Sequence, residues 1–257
     1  MAAPKVEPKI YTAIVLDFET GGLDCRDCAC TQIAMQAVRL DTWAVLDRYE
    51  KYITPYRKQD VGGVPKRKVL KTRQAIAEEE EGVPMKYEPV ALTYSAITME
   101  MLNLMGEDVK QVAADVIEFA KRNTLSKGFQ CKPILIGQNI TFDIGFLQQL
   151  MAYGGMSKEF EKVFAGTTDF YGNFQPHYVD TIDLGRLAFA HLPEVTSYKL
   201  EILSQRFGIE LDDAHDAGAD VTATLNVAAV CSGRLRQEGG EGIAITKKEK
   251  TRSHFKI

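Results

Sequence analysis

Between Ile10 and Phe18 the chain reads Ile-Tyr-Thr-Ala-Ile-Val-Leu-Asp-Phe, an apolar stretch that closes on acidic residues. It falls well short of the roughly 18 apolar residues a membrane helix needs. Its Ile, Val and Leu content reads as a buried central strand. Gln32 to Leu40 and Trp43 to Ile53 read as two further strands, joined by a tight turn at Asp41 and Thr42. Together they predict a three-stranded meander at the start of a mixed sheet.

The pattern then changes. Arg57 to Lys86 carries Gly62-Gly63, the basic cluster Lys66-Arg67-Lys68 and the acidic run Glu78 to Glu81, without sustained apolar periodicity. It reads as a surface insertion. Asp108 to Asn123 sets Val109, Val112, Val116 and Ala120 at helical spacing on one face. Pro133 to Gly137 is a short apolar strand, Phe142 to Tyr153 a helix, and Tyr178 to Ile182 the last strand. Strands first, then strand–helix alternation, predict an α/β domain with a mixed sheet.

Bulk properties narrow the class. At 257 residues, 45% hydrophobic and 26% charged, the chain can bury a sizeable core. Met1 to Lys9 is polar, with no stretch resembling a signal peptide, so a cytoplasmic protein away from membranes is expected. A net charge of −4 argues against coating nucleic acid by sheer basicity, but not against gripping one end of a strand. The expected division is a flexible N-terminus over 1–9, one domain over 10–236 with the insertion at about 57–86, and a mobile tail over 237–257.

Three short segments carry chemistry. Asp17-Phe18-Glu19-Thr20-Gly21-Gly22-Leu23 ends the first strand, where residues two apart point the same way and Asp17 and Glu19 converge. Converging carboxylates suit a hard divalent cation such as Mg²⁺. In Gly137-Gln138-Asn139-Ile140-Thr141-Phe142-Asp143 a buried strand hands over to a helix, with Asp143 in the first turn near the positive end of the helix dipole. His215-Asp216-Ala217-Gly218-Ala219-Asp220 puts a histidine just before a helix and an acid about one and a half turns on. That pairing can supply a general base beside a metal ligand.

In this order and setting, the segments resemble the DnaQ-like DEDDh exonucleases. The first is close to that family's D-F-E-T-T-G-L, the second matches N-x-x-F-D and the third H-x-x-x-x-D. The resemblance spans about Ile10 to Val230, apart from Arg57–Lys86. It implies a ribonuclease-H-like α/β fold, a mixed five-stranded sheet with helices on both faces. It implies a 3′–5′ exonuclease that uses two Mg²⁺ (or Mn²⁺) ions to release nucleoside monophosphates. Asp17 would bridge the metals, Glu19 and Asp220 would complete the tighter site, Asp143 would support the second ion, and His215 would deprotonate the attacking water. Thr20 and Gly21 would face the terminal sugar. Leu23 and Phe142 would wall the base, Asn139 would be the conventional polar residue of the second motif, and Tyr94 or Ser95 would line the other side. The expected partner is a single-stranded 3′ end, DNA before RNA, with a replicative or repair polymerase as a possible host. An RNA-trimming enzyme and a catalytically silent docking module are the alternatives.

Two positions depart from the family's pattern: Gly21 replaces its second Thr, and Gln138 replaces a common His. Cys25, Cys28 and Cys30 supply three of the four ligands a structural zinc requires. Cys131 or a histidine would have to be the fourth, and reduced thiols are the simpler expectation. Lys66, Arg67, Lys68, Lys71 and Arg73 could track phosphates or merely decorate a loop.

Overall fold

The computed structural model describes residues 9–59, 83–210 and 216–236. The polar N-terminal segment to residue 8, the basic cluster from Lys66 to Arg73, the run Glu78 to Glu81, His215 and the tail from 237 lie outside the described residues.

β1 (Thr12–Thr20), β2 (Cys30–Arg39) and β3 (Val45–Tyr52) form the antiparallel meander, turning at Asp41 and Thr42. Three helices follow: α1 (Pro89–Tyr94), α2 (Met99–Met105) and α3 (Val109–Arg122). β4 (Ile134–Gly137) then lies parallel to β1 on the side away from β2 and leads into α4 (Ile140–Tyr153) and α5 (Ser157–Val163). A small hairpin, β5 (Gly166–Thr168) and β6 (Phe174–Pro176), precedes β7 (Tyr178–Asp180), which pairs parallel with β4. The five-stranded sheet has the order β3-β2-β1-β4-β7. The chain ends in α6 (Thr181–Phe189), α7 (Leu200–Phe207) and α8 (Ala217–Arg236).

The period of two along β1 divides the core. Ile14, Leu16 and Phe18 face one side, where Ile33 and Met35 of β2 join Val112 and Val116 of α3 and Phe146 and Leu150 of α4. Ala13 and Val15 face the other, against Val221, Leu225 and Ala228 of α8. Helices therefore cover both faces, the architecture the family resemblance implied. Buried apolar area at about 25 cal/mol per Å² is the main force holding these layers together. α3 starts where its sequence says it should: the Asp108 carboxylate accepts the Lys110 N–H at 2.8 Å, and Lys121 and Arg122 complement the dipole at its other end.

Three expectations are corrected. β1 continues two residues past Phe18 to Thr20, with a register shift between Glu19 and Thr20. β7 stops at Asp180 instead of Ile182, because the Asp180 carboxylate accepts the Ile182 N–H at 2.9 Å and caps α6. α4 begins at Ile140, two residues before Phe142, because Asn139 (φ 55°) turns the chain out of β4 in the left-handed region that Asn tolerates. The β5–β6 hairpin and the short helices α1, α2 and α5 were not anticipated from the sequence; none is long enough to show a period.

The described ends of the Arg57–Lys86 segment are tied down. The Lys58 N–H donates to the Val83 carbonyl at 2.7 Å, the Met85 N–H to Tyr56 at 3.2 Å, and Lys86 bridges to Cys28. Asp27 holds Lys58 at 2.6 Å and Lys86 at 3.0 Å. No helix among the described residues is long and apolar enough to cross a membrane.

Candidate active site

Asp17 and Glu19 continue the row begun by Ala13 and Val15, so they point to the side of the sheet covered by α8. Asp220 stands in the first turn of that helix. Packing Ala217 and Val221 against the sheet brings it to the end of β1. Carboxylate oxygens of Asp17, Glu19 and Asp220 lie within 4.8 Å of one another. Among the described residues this is the one group of acids, cysteines or histidines gathered tightly enough to hold a metal ion.

Asp143 arrives from the opposite face. The last β1–β4 partners are Val15 and Ile136, so Phe18 lies beyond that ladder. Its N–H donates to Asp143 Oδ1 at 3.0 Å, and Asp143 is buried. One oxygen is thereby engaged at the strand end, and Asp143 stays outside the tighter group of three.

The electrostatics follow from this crowding. Burial first, then the charges of Asp220 and Asp216, push Asp17 up to about 7. Burial again leads for Glu19, pushed up to about 8 with Asp17, Asp220 and Asp216 contributing. Asp143 is raised well above the ordinary carboxylate range by burial and then by Asp17, against the downward pull of the Phe18 N–H. Like charges in a poorly solvated site hold protons until a cation replaces them. A hard divalent ion with oxygen ligands fits this donor set.

The acids form the floor of a cleft of about 890 Å³. Thr20, Leu23, Tyr94, Asn139 and Phe142 line it as well. Thr20 donates its hydroxyl to the Gly22 carbonyl at 2.8 Å. Leu23 is 85% exposed at the rim. Burial, then Glu201, Glu19 and Asp220, raise the Tyr94 phenol. Ser95 is buried instead, donating its hydroxyl to the Ala91 carbonyl of its own helix at 3.2 Å, and it does not line the cleft.

Gly21 sits beneath the chain that returns from the insertion. Its N–H donates to Ala29 at 2.8 Å and its carbonyl accepts from Glu88 at 2.7 Å. A Cβ there would come within 2.5 Å of the Lys86 carbonyl oxygen. The family's second Thr therefore has no room in this chain. The loop after β1 is held from below by Gln149, whose amide donates to the Cys25 carbonyl and, at 2.9 Å, to that of Cys28, and accepts from the Tyr56 hydroxyl at 2.6 Å. Cys28, Cys30 and Cys131 are buried and Cys25 partly so; among the described residues these thiols do not gather into a ligand group.

A second wall was missed from the sequence. Thr196, Ser197, Tyr198, Lys199, Leu200 and Glu201 line the cleft, as do Ile182 and Arg186 of α6. Gln138 was the available signal: a polar amide at the end of a buried strand needs partners. It finds them here, with Nε2 donating to the Tyr198 carbonyl at 2.8 Å and Oε1 accepting from the Thr181 hydroxyl. Gln32, on the strand beside Glu19, likewise donates to Glu50 at 2.9 Å and to Asp216 at 3.3 Å. Asp216 in turn accepts the Ala219 N–H at 3.2 Å at the start of α8.

Comparison with known proteins agrees with this architecture. The chain is 25% identical over 212 residues to the PolC-type DNA polymerase III of Pediococcus pentosaceus, an alignment covering 82% of this chain and 11% of that protein. The PolC-type polymerase of Streptococcus thermophilus is 25% identical over 219 residues, covering 85% and 11%. The chain thus spans about a tenth of the length of the curated relatives it matches. Among solved structures, Escherichia coli exonuclease I in complex with a dT13 oligonucleotide has the same fold, with a TM-score of 0.58 at 22% identity over 88% of this chain and 42% of that one. The moderately thermophilic exonuclease I of Methylocaldum szegediense gives a TM-score of 0.57 at 23% identity, over 88% and 41%. The RNase_T exonuclease model matches residues 78–228, a span that contains the second and third acidic motifs. With more than half its length in that match, the chain belongs to the RNase_T exonuclease family, of the DnaQ-like type.

Proposed function

We propose that this chain is a metal-dependent 3′–5′ exonuclease that removes nucleoside monophosphates from single-stranded DNA. The observation that carries the reading is the convergence of Asp17, Glu19 and Asp220 within 4.8 Å at the floor of an open cleft, with buried Asp143 alongside. Asp17, Glu19 and Asp220 would hold one Mg²⁺ or Mn²⁺, and Asp17 with Asp143 a second. Two such ions supply charge stabilisation for the attacking and leaving oxygens of an in-line phosphodiester displacement.

The chain's own groups do the rest. Leu23, Tyr94 and Phe142 offer apolar and aromatic surface to the terminal base, and Asn139 offers an amide at the same rim. The backbone around Thr20 and Gly21 would face the sugar. His215 is the proposed general base, taking the proton of the attacking water at an imidazole nitrogen; it precedes by two residues the helix that carries Asp220. DNA is preferred to RNA because the matched relatives are DNA polymerases, and a solved neighbour is described with bound oligo-dT. A polymerase host is part of the same reading, since the relatives carry the matching segment within a much longer chain.

The test is a gel assay with 5′-labelled single-stranded DNA and RNA of one sequence, with and without Mg²⁺. The reading expects a ladder shortening from the 3′ end, faster on DNA, abolished by EDTA and slowed by a 3′-phosphate. Short 5′-terminal fragments at the earliest times would mean endonuclease action and overturn it.

A further inference from the structure

The wall of residues 196–201 and the acidic floor differ in charge. Among the described residues along the cleft, Asp17, Glu19, Glu88, Asp143, Glu201 and Asp220 are acids, and the cations are Arg186 and Lys199. A nucleic-acid strand brings one negative charge per nucleotide into this lining. Metal held by Asp17, Glu19 and Asp220 would answer the charge of the phosphate being cleaved, and the remaining phosphates would require cations elsewhere.

Arg186 is already committed. Its guanidinium donates to Asp183 at 2.8 Å and lies 5.9 Å from the centre of the Tyr198 ring. Lys199 is different. It is exposed, lines the cleft, and its ammonium makes no ion pair or hydrogen bond among the described residues. Its backbone serves as the cap of α7, with the carbonyl accepting the Leu203 N–H at 3.0 Å. The base of the side chain is therefore fixed while its charged end is not. Lys199 stands on the wall of the cleft, at the start of α7.

The wall is not part of the sheet. Gln138 ties it to the catalytic strands: one end of its amide holds the Tyr198 carbonyl, next to Lys199, and the other the Thr181 hydroxyl, which also lies 3.1 Å from the Gly137 carbonyl. The residue that departs from the family's second motif thereby fixes the wall's distance from Asn139 and Asp143.

We infer that Lys199 is a substrate-positioning residue, its ammonium pairing with a non-scissile phosphodiester of the bound strand, and that Gln138 holds the wall that presents it. This rests on the exonuclease reading above. A charge-assisted contact of this kind moves affinity by roughly tenfold.

The experiment uses the full chain and its variants Lys199→Met and Lys199→Arg. KM and kcat are measured with Mg²⁺ on a 5′-labelled single-stranded 12-mer across a KCl series. The p-nitrophenyl ester of thymidine 5′-monophosphate, which has no second phosphate, serves as the control. Strand binding is followed separately by fluorescence anisotropy in Ca²⁺. Lys199→Met should raise KM roughly tenfold with little change in kcat, lower the salt slope by about 0.7 for the one lost contact, and leave the ester unaffected. Lys199→Arg should restore KM. Equal KM, salt slope and anisotropy for wild type and Lys199→Met would overturn the assignment. A wild type that binds the strand and loses affinity on Lys199→Met, yet cleaves neither substrate, would leave Lys199 standing and bring down the exonuclease reading instead.

Discussion

The floor and the wall of the cleft are built on opposite plans. The floor stands on the central strand of the sheet, with Asp17 and Glu19 fixed by the pairing of β1 with β2, just past the end of the β4 ladder, and Asp220 fixed by the packing of α8. The wall is a loop leading into α7, packed against α8 and hydrogen-bonded to the end of β4 through the Gln138 amide. The proposed chemistry, which needs several carboxylates within 4.8 Å, would sit on a paired strand and a packed helix. Substrate handling, under the proposed function, would fall to the wall, where a few polar contacts set the geometry. Mutations should therefore act on kcat when they touch the floor and on KM when they touch the wall.

The largest effect should come from the floor. Asp17→Asn keeps the shape of the side chain but removes the charge shared among the acids. It should bind strand yet lose turnover by about 10³-fold or more, as expected when several kcal/mol of charge stabilisation is lost. Cleavage at an undiminished rate would break the contrast at its root. His215→Ala should cut kcat by roughly 10²–10⁴ while leaving Mn²⁺ binding largely intact, because the residue is proposed to act on water and not on the metal. A parallel Mn²⁺ titration and single-turnover assay would separate those two roles.

On the wall, Gln138→Leu leaves the Tyr198 carbonyl and Thr181 hydroxyl without their amide partner. KM for a single strand should rise several-fold, with kcat changed less, the scale of losing hydrogen bonds worth about 1 kcal/mol each. An equal loss in kcat would show that the wall and the floor move as one unit.

The smallest effect concerns stability. Asp17 at about 7 and Glu19 at about 8 lie above their ordinary values of 3.8 and 4.5, so the metal-free native state holds protons that the unfolded chain has released. Stability from these groups is fully present below about pH 4 and lost as pH rises through 7 and 8. The Tm of metal-free protein should fall by several degrees between pH 5 and 8, and Mg²⁺ should reverse the fall. Asp17→Asn should flatten the profile; a wild-type profile already flat in EDTA would contradict the crowding that defines the floor.

These two plans also explain what could be read from the residues. The floor was legible in two ways: the period of two along β1 brings Asp17 and Glu19 together, and the resemblance to the DnaQ-like family adds Asp220 and Asp143 to them. The meander, β4 and the helix from Asp108 were legible from their own apolar patterns. The wall was not, because Thr196 to Lys199 belongs to no repeating element and reaches the cleft only through tertiary packing. Ser95 shows the same limit from the other side: it neighbours Tyr94 in sequence but turns its hydroxyl back into its own helix. Gly21 was recognised as a departure from the family's motif, but its cause, the carbonyl of Lys86 crossing above it, comes from a residue 65 positions away in the chain.

The central claim is that Asp17, Glu19 and Asp220 form one cation-holding unit, and calorimetric titration with Mn²⁺ near pH 7, in two buffers of different ionisation heat, tests it most directly. Because Asp17 and Glu19 hold protons in the empty site, wild-type binding should release them, and the measured heat should change with the buffer. Asp220→Asn, folded normally by circular dichroism, should lose most of the affinity together with strand cleavage. Mn²⁺ binding of unchanged affinity and proton release in Asp220→Asn would contradict the account.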